Sequence, residues 1–326
     1  MKRRWLLQAG GLVAALPWRA QAQPAALPVI GYLSGVARAE GEERLAMFRR
    51  GLAQAGYRED QNLRILYRWA DGDYERLPAM AAALVREPVT VIVASGGPRA
   101  ALAAKAASTS LPIVFTMGGD PVAMGLVASL NRPGGNVTGV SFLTADLTPK
   151  RFELLRELVP KSKLIALFVN PGTPSTPDQI RSAQEAATAA GLRLHVERVR
   201  TEAEIDAAFS VLARLRPDAL LIGTDAFLGA RQPQLVQAAA RLALPAIYEA
   251  SNAVVAGGLI SYGPSINATY LQLGEYTGRV LAGAKPATLP ILQPTTFELF
   301  INLRTARALG LTIPQALLLR ADEVVQ

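Results

Sequence analysis

Residues 89–107 read VTVIVASGGPRAALAAKAA. The first six are β-branched or small and show no polar alternation, the pattern of a strand covered on both faces. The run stops at Ser95-Gly96-Gly97-Pro98. Glycine gives the chain a tight turn there, and proline suits the first turn of a helix because its missing N–H is unpaired there anyway. Alanine, leucine and lysine follow without a breaker, which predicts a helix over 100–107. Strand, glycine loop and helix in that order form the repeating unit of a parallel sheet.

The unit recurs outward in both directions. Residues 29–33 end at Ser34-Gly35 before a helical stretch at 42–55. Residues 63–68 read as a strand before a helix at 74–86, and 113–116 lead through MGGD into a helix expected at 122–130. The pattern then restarts. Strands at 164–169, 193–199, 219–222 and 246–248 alternate with helices at 177–190, 202–214 and 232–242. Two successive runs predict an α/β chain of two doubly wound lobes. Three further extended stretches, 136–142, 258–263 and 295–302, fit either crossover strands between lobes or edge strands. As crossovers they make the lobes discontinuous: 27–139 plus 264–290 for the first, 140–263 plus 291–326 for the second. The helix expected at 270–281 then belongs to the first lobe.

The chain has 326 residues, half of them hydrophobic, enough for two packed cores. Cysteine is absent, which excludes disulfides, thiol nucleophiles and cysteine-held zinc; His195 is the one histidine. Lys2, Arg3 and Arg4 precede an apolar run at 5–16, and Ala20-Gln21-Ala22 has the small-x-small form of a cleavage site. Residues 1–22 are therefore expected to be a cleavable signal peptide, too short to span a membrane. Arg3-Arg4 before Trp5-Leu6-Leu7 resembles a twin-arginine signal, although Lys2 stands where Ser or Thr is usual, so a general secretory route fits as well. Four of the 34 basic residues and none of the 26 acidic ones fall in this segment, leaving a net charge of +4. No basic run with interleaved aromatics appears, so nucleic acid is not an expected partner. The mature chain is expected to be exported and monomeric, with neither metal nor cofactor.

In open α/β sheets, ligands bind beyond the carboxyl ends of the strands. Here those ends carry Ser34-Gly35, Ser95-Gly96-Gly97, Thr116 through Asp120, Asn170, Thr224-Asp225 and the segment from Tyr248 to Ser251. Glycine loops at helix N-termini expose N–H groups that suit a carboxylate. Asp120 or Asp225 would then suit an ammonium. Each of these residues is also an ordinary helix cap, and both roles stay open for Asp120, which precedes Pro121. Enzyme signatures are missing: GYLSGV is no dinucleotide fingerprint, and no phosphate-binding P-loop or G-x-S-x-G elbow occurs.

The segments VIGYLSG, VFTMGGDPVAMGLVASLNRPGGNVTGVSF, AGGLISYG and QPTTFELFINLRTARALGLTIP resemble the periplasmic substrate-binding proteins of ABC transporters, in the group that includes the tryptophan-binding TrpX-like proteins. The likeness runs over nearly all of the mature chain. It implies a type I periplasmic binding protein: two Rossmann-like lobes joined by three crossover strands, with a ligand cleft between them. It also implies that Ser34, Gly35, Ser95, Gly96, Gly97, Thr116, Asp120, Asn170, Thr224 and Asp225 contact ligand. By position, Tyr32, Phe227, Tyr248 and Tyr262 are candidates for aromatic walls. The chain departs from the TrpX pattern at MGGD and NPGTPST, so tryptophan specificity does not carry over. The expected function is capture of a small amphipathic solute, an amino acid or related aromatic acid, for a membrane permease. An α/β enzyme acting on a polar metabolite, or a ligand sensor for a membrane receptor, is the alternative.

Overall fold

Two sheets, the first parallel throughout and the second parallel but for one pair of strands, carry the chain between covering helices. The computed structural model describes residues 27–142 and 147–326; the expected signal peptide lies outside the described residues. The first sheet holds β1 (Val29–Ser34), β2 (Arg64–Trp69), β3 (Val91–Ser95), β4 (Ile113–Met117) and β5 (Val137–Ser141), in the order β2-β1-β3-β4-β5. All its pairings are parallel. Every residue of β1, β3, β4 and β5 is buried, which is why these strands read as unbroken apolar runs. Helices α1 (Arg38–Gln54), α2 (Leu77–Val85) and α3 (Pro98–Ala107) cover the faces.

The second sheet orders its strands β12-β11-β10-β9-β8-β6-β7. These are β6 (Leu164–Val169), β7 (Arg193–Arg198), β8 (Ala219–Ile222), β9 (Ala246–Tyr248), β10 (Ile260–Pro264), β11 (Phe297–Asn302) and β12 (Glu323–Val325). Only β10 and β11 pair antiparallel. Around it lie α4 (Thr148–Leu158), α5 (Thr176–Ala189), α6 (Glu202–Leu215), α7 (Ala226–Ala230), α8 (Gln232–Arg241) and α9 (Ser251–Val255).

The chain passes between the sheets three times. It leaves the first after Ser141 and returns after Pro264 through α10 (Ile266–Leu281). It departs again between Leu292, whose N–H bonds the Gly139 carbonyl at 2.9 Å, and Phe297 at the start of β11. Helix α10 lies on the first lobe. Its Tyr270, Leu273, Tyr276 and Val280 join Tyr32, Phe48 and Leu52 in one core. Gly51 and Gly274 let α1 and α10 touch backbone to backbone, since a Cβ on Gly274 would run into the Phe48 carbonyl oxygen.

One expected element is corrected. Residues 122–130 form turns rather than a helix. Val122 N and Ala123 N turn onto the Asp120 carboxylate, and Gly125 then takes a φ of +66° that ends the turn. Leu126 and Val127 drop into the first core instead. His195 sits half-buried on the edge strand β7, its Nε2 2.6 Å from Glu197 Oε1, away from every strand end.

Candidate functional site

The loops after β3 and β4 face those after β6, β8 and β9 across a cleft. A cavity lies between them, about 530 Å³ of space not filled by protein atoms, part of it open to solvent. Gly96, Gly97, Thr116 and Gly118 border it from the first lobe, and Thr173, Ser175, Thr224, Asp225 and Glu249 from the second. Met117, Phe142, Ile266 and the ring of Tyr270 give it an apolar side. The loop after β3 is shaped by close approach: Gly96 has a φ of +73°, and a Cβ on Gly35 would collide with its carbonyl. That packing leaves Gly97 as the N-cap of α3, with no side chain between the helix end and the cavity.

Two polar features stand out in the lining of this space. Thr116 is 1% exposed, yet its Oγ1 has no hydrogen-bond partner among the described residues. A buried hydroxyl left unpaired costs free energy, which a ligand oxygen at the adjacent helix end would recover. The second is a set of charges. Arg44 reaches in from α1, and Glu249 stands at the end of β9. Behind Glu249, Arg151 of α4 is fully buried, its Nε donating to the Tyr262 carbonyl at 2.7 Å and its Nη1 to Thr224 Oγ1 at 2.8 Å. Burial pulls the Arg151 guanidinium down to about 10, against the opposing pull of Glu249. Burial likewise raises Glu249 above the ordinary carboxylate value, with Arg151, Arg44 and the Thr224 hydroxyl acting the other way.

Asp225 is occupied. It caps α7 through Phe227 N at 2.9 Å and Leu228 N at 3.1 Å, and accepts from Asn170 Nδ2 at 3.0 Å and from the Thr173 hydroxyl. The Tyr74 hydroxyl, from the first lobe, reaches it at 3.3 Å and accepts from Phe227 N at 3.1 Å. A second bond across the cleft runs from Arg99 Nε to the Gly172 carbonyl at 2.7 Å. The lobes are therefore closed on each other.

The sequence-expected residues divide into layers. Gly96, Gly97, Thr116, Thr224 and Asp225 border the cavity. Asn170 and Phe227 border a second, more open depression at the cleft mouth, with Tyr74 and Arg99. Ser34, Gly35 and Ser95 lie beneath the cavity; Ser95 Oγ meets the Tyr32 hydroxyl at 2.9 Å and that of Tyr270 at 3.3 Å. Three expected aromatic walls are corrected. Tyr32 and Tyr248 are core residues, each 1% exposed, because their strand faces point into helices rather than toward the strand ends. Tyr262 stacks on Phe297 and offers only its carbonyl, to Arg151. Asp120 is also corrected: it is exposed, outside the cavity lining, and spent on Val122 N and Ala123 N. Arg44 and Tyr270, which also border the cavity, and Arg151 behind it stand on helices and carry no local signal in the sequence; Glu249 belongs to the strand-end segment from Tyr248 to Ser251.

Two doubly wound lobes, three passes between them and a cavity between facing strand ends define a two-lobed solute-binding protein of the type I periplasmic binding fold. The chain belongs to the ABC transporter substrate binding protein family, whose model matches residues 33–325. A tyrosine-binding protein of Clostridioides difficile (strain R20291) is 29% identical over 265 residues, 81% of this chain and 75% of that protein. An ABC domain from Streptococcus pneumonia in complex with L-Trp is 28% identical, with a TM-score of 0.83 over 91% of this chain and 99% of that one. A ligand-free, open substrate-binding protein with adhesive properties from Clostridium difficile is 26% identical over 92% of this chain and 99% of that one, with a TM-score of 0.65. At nearly equal identity the higher score goes to the ligand-bound structure, in keeping with the closed lobes described above. The family and these relatives are binding proteins rather than enzymes.

Proposed function

We propose that this chain is the periplasmic receptor of an ABC transporter and captures an amino acid with an aromatic or large apolar side chain. The observation that carries this is the cavity between the lobes: an unpaired, buried Thr116 hydroxyl beside the open N-terminus of α3, opposite a charged second-lobe wall, with Phe142, Met117 and Ile266 alongside. Helix N-termini attract carboxylates through free N–H groups and the helix dipole. The apolar side suits a ring or branched chain, and the family and its tyrosine- and tryptophan-linked relatives support that choice. Residues 27–139 plus 264–290 would move as one body and 140–263 plus 291–326 as the other. Ligand touching both favours the closed form, because only there are all contacts made. The closed form then docks on the permease. Residues 1–22 would direct export and be removed.

A thermal-shift screen of amino acids and aromatic acids tests this. A ligand at 100 times its dissociation constant stabilises by about 2.7 kcal/mol, so a true ligand raises the melting temperature clearly. Turnover of a screened compound would support an enzyme instead.

A further inference from the structure

We propose that Arg151 is a positioning residue that joins the hinge, formed by the three passes between the lobes, to the second-lobe wall of the cleft. Ligand contact at that wall and closure at the hinge are then one event. This rests on the capture function proposed above and deepens it.

Arg151 stands where all three passes meet the second lobe. The first pass leads to α4, whose first residue, Thr148, lies about one turn before Arg151. The second leaves from the end of β10. Arg151 Nε holds the Tyr262 carbonyl there at 2.7 Å, close to the strand's last residue, Pro264. The third arrives at Phe297, which pairs with Pro264 and stacks its ring on Tyr262, the centroids 6.1 Å apart. The same guanidinium also reaches the cavity border, where its Nη1 donates to Thr224 Oγ1 at 2.8 Å.

A guanidinium is a rigid plane whose donors cannot move independently. It therefore holds the Tyr262 carbonyl and the Thr224 hydroxyl in one frame. There is little slack beside it: a Cβ on Gly263 would collide with the Glu249 carbonyl oxygen and sit 3.4 Å from Arg151 Nη2. Nη2 itself is buried and has no hydrogen-bond partner among the described residues. A buried cation with one nitrogen unpaired costs stability, and an apolar side chain of similar length would fill the space without that cost. The arrangement suits a link between Tyr262 and Thr224 better than it suits a core. When the passes swing, the fork carries Thr224 with them. A ligand against Thr224 biases the passes in return, since coupling between two sites is reciprocal.

The chain has no cysteine, so one spin label can be placed on each lobe through Ala82→Cys on α2 and Ala207→Cys on α6, both exposed. Double electron–electron resonance then reads the separation of the lobes with and without saturating L-tyrosine or L-tryptophan, and calorimetry reads affinity. Wild-type protein should move to a single short distance with ligand. Arg151→Lys keeps the charge but loses the fork that holds both acceptors. An open population should persist at saturation, and affinity should fall roughly 5- to 150-fold, the usual span of a coupling between sites, mostly through faster dissociation. Thr224→Val, which leaves Arg151 in place, should show the same open population, and Thr224→Ser, which keeps the hydroxyl, should close fully. Full closure of Arg151→Lys or of Thr224→Val at saturating ligand overturns the proposal, whatever the melting temperature, and leaves capture intact. Thr224→Val decides the matter if Arg151→Lys does not fold. Wild-type protein that neither binds nor closes on either amino acid removes the aromatic-ligand proposal and this one with it.

Discussion

The Tyr74 hydroxyl of the first lobe meets the Asp225 carboxylate of the second at 3.3 Å and accepts the Phe227 N–H at 3.1 Å. One phenol thus serves as donor and acceptor across the cleft, at the N-terminus of the short helix that Asp225 caps. These contacts need the closed lobes, so they contribute only to the closed state. Tyr74→Phe keeps the ring and removes both bonds. At about 0.5–1.5 kcal/mol net per bond, the loss of the two should weaken ligand affinity roughly 5- to 150-fold, with little change in unliganded melting temperature. Calorimetric titration of both proteins checks it.

Asp225 is a structural hub rather than a free ligand group. Asp225→Ala removes the α7 cap and strands the buried Asn170 and Thr173 donors. Loss of the cap alone costs about 1 kcal/mol, and the stranded donors add to it. The denaturation midpoint should fall even without ligand, which chemical unfolding followed by circular dichroism would show.

Asp120 gives the contrasting case. Its carboxylate only caps a turn, and asparagine caps nearly as well as aspartate. Asp120→Asn should leave ligand affinity within about twofold and stability within about 0.5 kcal/mol. A tenfold loss of affinity on titration would return Asp120 to the binding surface.

Gly274 tests the placement of α10. A Cβ there meets the Phe48 carbonyl and the Leu52 amide of α1, both backbone and unable to swing aside. Gly274→Ala should destabilise the protein by about 1–3 kcal/mol, the usual range for overpacking, in a thermal melt. A neutral result would mean that the two helices do not pack this closely.

Glu249 sets a pH dependence. Burial raises its pKa above the ordinary 4.5, and Asp225 adds to this, while Arg151, Arg44 and Thr224 oppose. The native protein therefore holds this proton more tightly than the unfolded chain. Its contribution to unliganded stability is present at low pH and is lost as pH rises from 4.5 through the folded value. In the proposed capture of an amino acid, binding runs the other way, since a ligand ammonium favours the ionised form. Affinity for an amino acid should therefore fall on acidification at a pH above 4.5, and Glu249→Gln should flatten that profile. Titrations between neutral and mildly acid pH would show it.

The backbone of this site is legible in the sequence because strand ends carry local signals. Ser95-Gly96-Gly97-Pro98 announces a turn and a helix start on chemistry confined to four residues, and the structure puts it at the cavity. Arg44, Arg151 and Tyr270 give no such signal. They lie on helices whose patterns look like ordinary amphipathic surfaces, and only tertiary contact between distant segments brings them to Glu249 and Ser95. Tyr32 and Tyr248 mislead for a related reason. A strand covered on both faces shows no alternation, so its sequence does not say which aromatic points to a helix and which to the cleft. The helix expected at 122–130 fails because Asp120-Pro121 is an equally good opening for a single turn, and Gly125 closes it.

The most direct measurement is isothermal titration calorimetry of the mature protein with L-tyrosine and L-tryptophan. One of these, or another amino acid of similar character, should bind at a single site per chain without being consumed. The absence of binding heat for every amino acid, or chemical conversion of the titrated compound, would contradict the account.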